Sequence, residues 1–195
     1  MSILKIARMG HPVLRTKARA LDRTEVRGAT IQRLIDDMIE TMHEYHGVGL
    51  AAPQIHESLR LFVASLDHGT RDADDAGDAG DAGLDDDSDE SAEAEPIAIV
   101  NPEITVVGSD VVEDWEGCLS IPDIRGRVPR AREIRVRGLD RNGDRLVLRA
   151  RGFAARVIQH ETDHLDGVLF FDRMKSLTSM TFLDEYSRYW RKTDD

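Results

Sequence analysis

The sequence contains few cysteine, proline and aromatic residues. Its 195 residues include 1 cysteine, 6 prolines and 5% aromatic residues. A single cysteine excludes an intramolecular disulfide, so the chain is no disulfide-rich scaffold and suits a reducing compartment. No apolar run approaches the roughly 18 residues of a membrane span, and the stretch MSILKIARMGHPVLR lacks the apolar core of a signal peptide. We therefore expect a cytoplasmic protein with no membrane contact.

The negative charge of the chain is concentrated in one segment, residues 71–95. Twelve acids and one arginine give this segment a net charge of −11, which equals that of the whole chain. With DAG repeats and almost no large apolar residue, it is predicted to be a disordered, acidic low-complexity loop insertion. The alternative is that this acidic segment is a tether that repels RNA or binds a basic partner. The remaining residues show no basic stripe, so we expect no direct sequence-specific binding of nucleic acid.

Hydrophobic periodicity predicts one α+β domain over residues 1–195, interrupted only by the insertion. An amphipathic helix is predicted over Ile31–Met42, with Thr30 as its N-cap and Gly47 at its end. A C-terminal helix is predicted from about Leu177 to Trp190. The predicted strands are 61–66, 97–100 (closed by Asn101-Pro102), 104–107, 111–115 and a hairpin, 134–139 with 146–148, around Asn142-Gly143. We expect small antiparallel β-sheets packed around a central helix, with an N-terminal and a C-terminal helix.

That central helix contains His160–His164, which read HETDH, the HExxH pattern of catalytic metal sites. The segment continues an apolar stripe that includes Phe153 and Val157, and Gly167 is predicted to end the helix. Residues four apart lie about one turn apart on nearly the same helix face, so both imidazoles can reach one ion. Glu161 then lies where a carboxylate can contact a coordinated water. The pattern indicates a metal-dependent hydrolase.

A catalytic site of this kind needs a third protein ligand. The residues after His164 offer only carboxylates, at Asp166, Asp172, Asp184 and Glu185. Upstream, the lone Cys118 follows a glycine in a short segment where the backbone can approach a ligand closely. A lone cysteine is more often a small buried apolar residue. From the residues alone, the third ligand stays open.

Three separated motifs together resemble those of the peptide deformylases. They are GVGLAAPQ at 47–54, EGCLS at 116–120 and QHETDHLDG at 159–167. With RVPR at 127–130 and the flanking strands, the resemblance covers most of the chain outside the acidic insertion. It implies removal of the N-formyl group from the N-terminal methionine of newly synthesised polypeptides, with release of formate.

The resemblance implies that Cys118, His160 and His164 bind one divalent metal ion and that Glu161 is the catalytic acid and base. The chemistry of the residues agrees, because such an ion lowers the pKa of a bound water towards about 7, and a nearby carboxylate can take the proton. In the family the ion is Fe2+ as well as Zn2+. The ligand types also admit Ni2+ and Co2+, and Fe2+ is our expectation.

The resemblance also implies two hydrogen-bond donors for the oxyanion that forms during hydrolysis, the side-chain amide of Gln54 and the backbone N–H of Leu119. Pro53 stiffens the backbone just before the glutamine. A further expectation is an ion pair between Glu116 and Arg130 that fixes the loop carrying the cysteine. The alternative is two exposed charges that contribute little.

Five residues are candidates for binding the substrate. Val48, Trp115 and Val157 are apolar and close to the motifs, so they are candidates for the methionine slot, although each is equally typical of plain core. Gly49 permits a close approach of backbone to the nascent chain. Arg125 follows EGCLS and is either a substrate contact or a solvated side chain.

Two other functions stay open at this point. One is a metal-dependent amidase or peptidase of other specificity, and the other is a non-catalytic peptide-binding homologue. The expected partners are nascent formyl-methionyl polypeptides and, transiently, the ribosome. We expect a monomer.

Overall fold

The computed structural model describes residues 2–66 and 95–191. The predicted acidic insertion therefore lies outside the described residues, except for Glu95. The strands are β1 (Gly49–Ala51), β2 (Leu61–Ala64), β3 (Ile97–Val106), β4 (Val111–Cys118), β5 (Ile121–Ala131), β6 (Glu133–Leu139), β7 (Arg145–Arg151) and β8 (Thr181–Phe182). The helices are α1 (Arg23–Arg27), α2 (Ala29–Glu44), α3 (Gly152–Leu165), α4 (Phe170–Arg173) and α5 (Leu183–Tyr189). No helix in the described ranges is both long and apolar enough to cross a membrane.

The strands form two antiparallel sheets around one helix. One sheet has the order β1-β2-β3-β6-β7 and the other the order β4-β5-β8. Helix α3, which contains HETDH, contacts strands of both sheets. Its apolar residues join a core with the inward side chains of the five-stranded sheet. The predicted α+β class, with small antiparallel sheets packed around the HExxH helix, is confirmed.

Helix α2 covers the other face of β1 and β2, where its apolar stripe is buried. The predicted N-cap, Thr30, was wrong, whereas Gly47 does lie at the C-terminal end, although the left-handed residue there is the one before it. Gly28 in extended conformation is the N-cap, since the short helix α1, which the sequence analysis missed, ends there. At the other end, His46 takes the left-handed conformation (φ 53°) and the N–H of Gly47 donates to Met42 O at 2.8 Å. Thr30 therefore lies inside the helix rather than at its cap.

The prediction that Asn101-Pro102 ends a strand was also wrong, because β3 continues to Val106. The chain passes these residues in a bulge, with Asn101 at φ 51° and a register shift between Val100 and Glu103. Asparagine tolerates this conformation, and a bulge is one of the few places in a sheet that accept proline. The side chain of Asn101 also bonds both backbone groups of Leu21, at 3.1 and 2.7 Å, which stabilises the bulge.

The C-terminal helix begins later than predicted. Leu177–Ser179 form a 3-10 turn, β8 follows, and only Leu183–Tyr189 are helical. The physical reason is strand pairing, since Phe182 lies opposite Ile124 and extends the sheet of β4 and β5. The predicted hairpin is confirmed, with β6 and β7 joined by a turn in which Gly143 has φ 74°.

The N-terminal segment connects the parts of the molecule that contain the three motifs. The N–H of Ala7 donates to Gln54 O at 2.7 Å, and the N–H of Met9 donates to Ser120 O at 2.8 Å. Further on, the N–H of Ala18 donates to Leu165 O at the end of α3, also at 2.8 Å. These bonds hold the glutamine turn, the loop after Cys118 and the HExxH helix against one another.

Candidate metal centre

Helix α3 presents His160, Glu161 and His164 to the interior of the protein, and all three are buried. The helix ends at Leu165, and the predicted stop Gly167 follows its C-cap with φ 74° and donates its N–H to His164 O at 3.2 Å. A side chain at this glycine would be strained and would also lie 2.8 Å from the carbonyl carbon of Arg15. The glycine thus fixes where the helix stops and where its last ligand lies.

Cys118, the last residue of β4, reaches this helix from the smaller sheet. Its Sγ lies 3.3 Å from Nε2 of His164. One ligand atom each from Cys118, His160 and His164 lies within 4.8 Å of the other two. Metal–sulfur and metal–nitrogen bonds of about 2.3 and 2.1 Å would separate sulfur from nitrogen by about 3.6 Å in a tetrahedral site. These three residues fit a divalent ion.

Two buried polar atoms at this cluster have no hydrogen-bond partner among the described residues, Oε2 of Glu161 and Nδ1 of His164. Burial raises the pKa of Glu161 to about 7, although a protonated His160 would oppose the shift. Burial also lowers the pKa of His164, so its imidazole is neutral, as a metal ligand must be. An unpartnered buried carboxyl group with a raised pKa is typical of a functional site.

The carboxylate of Glu116 forms the centre of the hydrogen-bond network behind His160. Oε1 accepts from Arg130 Nε at 2.9 Å and from Arg156 Nη1 at 2.8 Å. Oε2 accepts from Arg130 Nη2 at 3.0 Å and lies 2.9 Å from Nδ1 of His160. The predicted ion pair of Glu116 with Arg130 is confirmed, and both residues are buried rather than exposed.

This network fixes the protonation of its members. Burial alone would raise the pKa of Glu116, but hydrogen bonds from His160 and Arg130 outweigh it and lower the pKa to about 2. The carboxylate is therefore ionised at neutral pH and accepts the Nδ1 proton of His160. With Nδ1 engaged, Nε2 is the nitrogen of His160 that is left for an ion.

Gln54 is buried at the cysteine. Its Oε1 accepts a hydrogen bond from the N–H of Ala51 at 2.8 Å, which fixes the orientation of the amide. Its Nε2 consequently lies 3.4 Å from Cys118 Sγ and 3.3 Å from Ser120 Oγ. Leu119, between these two residues, packs its side chain beside Gly47. The structure thus brings the glutamine amide of the first motif to the cysteine of the second.

Gly49 and Val48 lie on the approach to the helix. A Cβ added to Gly49 would lie 2.8 Å from the carboxyl carbon of Glu161, so this glycine is in direct contact with the glutamate. Val48 is 47% exposed, which is compatible with a surface contact to a peptide. Val157 is different, because it is buried in the core cluster of α3 and the five-stranded sheet.

Trp115 and Arg125 belong to the smaller sheet. The indole of Trp115 packs on Tyr186 and Trp190, with ring centroids 5.0 and 5.9 Å apart. The guanidinium of Arg125 fills the space that a side chain at Gly117 would need, directly before the cysteine. The C-terminal segment therefore packs against Trp115, one of the candidate substrate-binding residues.

The sequence analysis missed three buried polar residues at the site: Ser120, Arg156 and Asp163. Asp163 accepts from Arg173 Nη2 at 2.6 Å and is also bonded to Arg130. A signal for Arg156 was available, since it is an arginine within the apolar stripe, one turn before His160. Ser120 lies inside EGCLS, and Asp163 lies inside HETDH, so both were visible only as parts of motifs.

Comparison with known proteins identifies the family. Residues 3–180 match the family model described as polypeptide deformylase. The chain is 41% identical over 184 residues to peptide deformylase 2 of Nostoc sp., covering 94% of this chain and 93% of that protein. The peptide deformylase of Thermotoga maritima has a similar crystal structure, with TM-score 0.73 and 34% identity over 90% of this chain and 100% of the other.

The crystal structure of a class I type b peptide deformylase from Acinetobacter baumannii with bound Met-Ala-Ser is also similar. Its TM-score is 0.73 at 35% identity, covering 89% of this chain and 99% of the other. The match to the family model, over residues 3–180, includes all three motifs. The chain therefore belongs to the peptide deformylase family of metal-dependent hydrolases.

Proposed function

We propose that the protein hydrolyses the N-formyl group of formyl-methionyl polypeptides and releases formate. The observation that carries this proposal is the convergence of Cys118, His160 and His164 on one point with the unpartnered carboxyl of Glu161 beside them. Family membership supports it, as does the related Acinetobacter baumannii enzyme, whose crystal structure has bound Met-Ala-Ser.

The chemistry divides between the ion and the protein. Cys118, His160 and His164 would hold a divalent ion, which would supply Lewis-acid chemistry by polarising a carbonyl and lowering the pKa of water towards about 7. Glu161 takes the proton of the attacking water on its carboxylate and returns it to the departing amine. Burial raises the pKa of this carboxyl group to about 7 in the protein without an ion, so the group is able to exchange a proton rather than being a strong acid.

Gln54 and Leu119 are proposed to stabilise the oxyanion. The Gln54 amide has its oxygen held by Ala51, so its Nε2 donates towards the cysteine side of the site. The N–H of Leu119 follows Cys118 directly and is the second donor. Each donor of this kind lowers the barrier by roughly 3–4 kcal/mol.

The substrate is proposed to lie along β1 and the smaller sheet. Val48 and Trp115 would contact the methionine side chain, and Val157 would form part of the wall behind it. Gly49 would bond the peptide backbone, and Arg125 would contact residues beyond the methionine. The exposure of Val48 and the position of Arg125 beside Gly117 support these assignments.

We propose Fe2+ as the ion, with Zn2+, Ni2+ and Co2+ as ions that the same ligands accept. We further propose a cytoplasmic monomer that contacts the ribosome transiently while its substrate emerges. The chain would be one catalytic domain, and residues 71–95 would be an insertion that the reaction does not need. Deleting residues 71–94 should then leave kcat/KM within roughly twofold.

The test is formate release from formyl-Met-Ala-Ser by protein purified without oxygen, with the bound metal determined in the same sample. We expect formate from the formyl peptide and no cleavage of acetyl-Met-Ala-Ser. The peptide bonds of Met-Ala-Ser should also stay intact, which distinguishes a deformylase from a peptidase. Metal-loaded, folded protein that releases no formate would contradict the proposal.

A further inference from the structure

Arg156 is a buried arginine that joins the HExxH helix to the strands facing it. It lies on α3 one turn before His160 and is 7% exposed. Its Nη1 donates to Glu116 Oε1 and to Val128 O, both at 2.8 Å, and its Nη2 donates to Val112 O at 2.7 Å. Nη1 also lies 3.4 Å from Asp114 O, a longer contact. The three short bonds join one guanidinium to a carboxylate and to backbone carbonyls of β4 and β5.

These bonds connect the two parts of the metal centre. The helix provides His160 and His164, whereas β4 provides Cys118. Arg156 bonds β4 at two points, the carbonyl of Val112 and the carboxylate of Glu116, which lies two residues before the cysteine. Because a helix that slides or rotates on the strands would break these bonds, Arg156 holds the histidines in register with the cysteine.

Arg156 also completes the hydrogen bonds of Glu116. A carboxylate has about four acceptor positions, and here Oε1 and Oε2 each accept two bonds. Arg130 fills one position on each oxygen, Arg156 fills the second on Oε1, and His160 fills the second on Oε2. Without Arg156 one acceptor position of Oε1 is left empty, so the carboxylate is held less firmly and the Nδ1 bond that orients His160 weakens.

We propose that Arg156 is a positioning residue for the metal centre, acting through Glu116 and through the register of α3 on β4. The proposal rests on the proposed function only in taking Cys118, His160 and His164 as metal ligands. It does not involve the substrate. Loss of Arg156 should therefore change metal affinity and coordination geometry, whatever peptide the protein hydrolyses.

The experiment is a titration of the metal-free full-length protein with Co2+, whose absorption reports coordination geometry. For Arg156→Met we expect the dissociation constant for Co2+ to rise about 10- to 100-fold, with a changed visible spectrum. Arg156→Lys keeps the charge but has no planar fork to serve three acceptors, so we expect a smaller loss in the same direction.

Arg60→Met is the matched control. Arg60 also joins the C-terminal end of α3 to the five-stranded sheet, through the C-cap residue Asp166 at 2.6 Å and Pro102 O at 3.2 Å, but it does not touch Glu116. Its Co2+ affinity should stay within roughly twofold of the parent protein. An equal loss in Arg60→Met and Arg156→Met would show general loosening of the helix and would overturn the proposal.

A double variant tests whether Arg156 acts through Glu116. If it does, Glu116→Gln combined with Arg156→Met should weaken Co2+ binding less than the product of the two single effects. Independent, multiplying effects would overturn that part of the proposal. Unchanged Co2+ affinity and spectrum in every Arg156 variant that folds would overturn it entirely. Absence of formate release with normal Co2+ binding would contradict the proposed function alone.

Discussion

Gly49 on β1 is in direct contact with the carboxyl group of Glu161 on α3, and the contact leaves no room for a side chain. A Cβ at this position would lie 2.8 Å from the Glu161 carboxyl carbon and 2.9 Å from its Cγ. We expect Gly49→Ala to displace the carboxyl group and to lower kcat by about 10²-fold, because displacements near 1 Å have effects of that size. The bound metal should be retained.

The control for this variant is Gly108→Ala. Gly108 lies in the turn between β3 and β4 with φ 74°, and a Cβ there would meet nothing within 4 Å. Gly108→Ala should lower the stability of the fold slightly through backbone strain while leaving kcat unchanged. A Gly49→Ala enzyme with the parent kcat would show that the glutamate tolerates displacement, contrary to this expectation.

Glu161→Gln removes the proton acceptor and keeps the shape of the side chain. General acid–base catalysis contributes typically about 10²- to 10⁴-fold, and we expect kcat to fall by that factor. The metal content should stay the same, since Glu161 is not among the three ligand residues. Formate release and metal analysis on one preparation check both statements. Loss of metal together with activity would assign Glu161 to the ligand set instead.

Asp163 is expected to matter for folding because it neutralises two arginines while buried. It is bonded to Arg130 and Arg173, and removing one partner of a buried ionic network costs about 3–5 kcal/mol. Asp163→Ala should lower the free energy of unfolding by that amount in a urea titration.

The control is Asp166→Ala, three residues later in the chain, which removes the ion pair with Arg60, where the aspartate side chain is 39% exposed. That control should cost about 1 kcal/mol or less, and equal losses would contradict the argument.

Asp172 gives a prediction for acid pH. Burial alone would raise its pKa, but hydrogen bonds from Arg15 and from the N–H of Leu169 outweigh it and lower the pKa. Such a group stabilises the fold above the unfolded pKa of about 3.9 and loses that contribution as pH falls through the lower folded pKa. The pair is partly exposed, so Asp172→Asn should cost roughly 0.5–1 kcal/mol at pH 7.

The difference between Asp172→Asn and the parent protein should begin to shrink as pH falls below the unfolded pKa of about 3.9, and should vanish only below the lower folded pKa. Urea titrations at pH 7, 5 and 3 measure it directly. Asp110→Asn, at an exposed turn residue, should match the parent protein at each pH. A destabilisation by Asp172→Asn that grows towards acid pH would mean that the folded pKa is raised instead.

The sequence predicted the central helix and its neighbours because their signals are local. Apolar spacing placed α2 and α3, and the Asn-Gly pair placed the β6–β7 turn. The failures occurred where tertiary contacts decide. The Asn101 bulge depends on bonds to Leu21, which is 80 residues away in the chain. The late start of α5 depends on pairing of Phe182 with Ile124 across two sequence-distant strands.

Site residues were likewise predictable where the signal is a local motif and not where tertiary packing decides. The motif residues could be named from spacing and resemblance, and the Glu116–Arg130 pair from resemblance alone. The carboxylate of Glu116 has two further partners, Arg156 and His160, which come from a helix 40 and 44 residues later. No periodic pattern in the sequence connects a strand residue to a helix residue at that separation. Only the packing of α3 on β4 and β5 brings them together.

The position of α3 between the two sheets has a consequence for a protein that loses its ion. Cys118 belongs to the sheet of β4, β5 and β8, while the histidines belong to the helix that packs on the larger sheet. Coordination therefore cross-links two layers, and part of its free energy contributes to folding. Treatment with a chelator should accelerate amide hydrogen exchange in β4 and β5 before it does so in β2 and β3. The smaller layer would then be the part of the fold that depends most on metal supply in the cell.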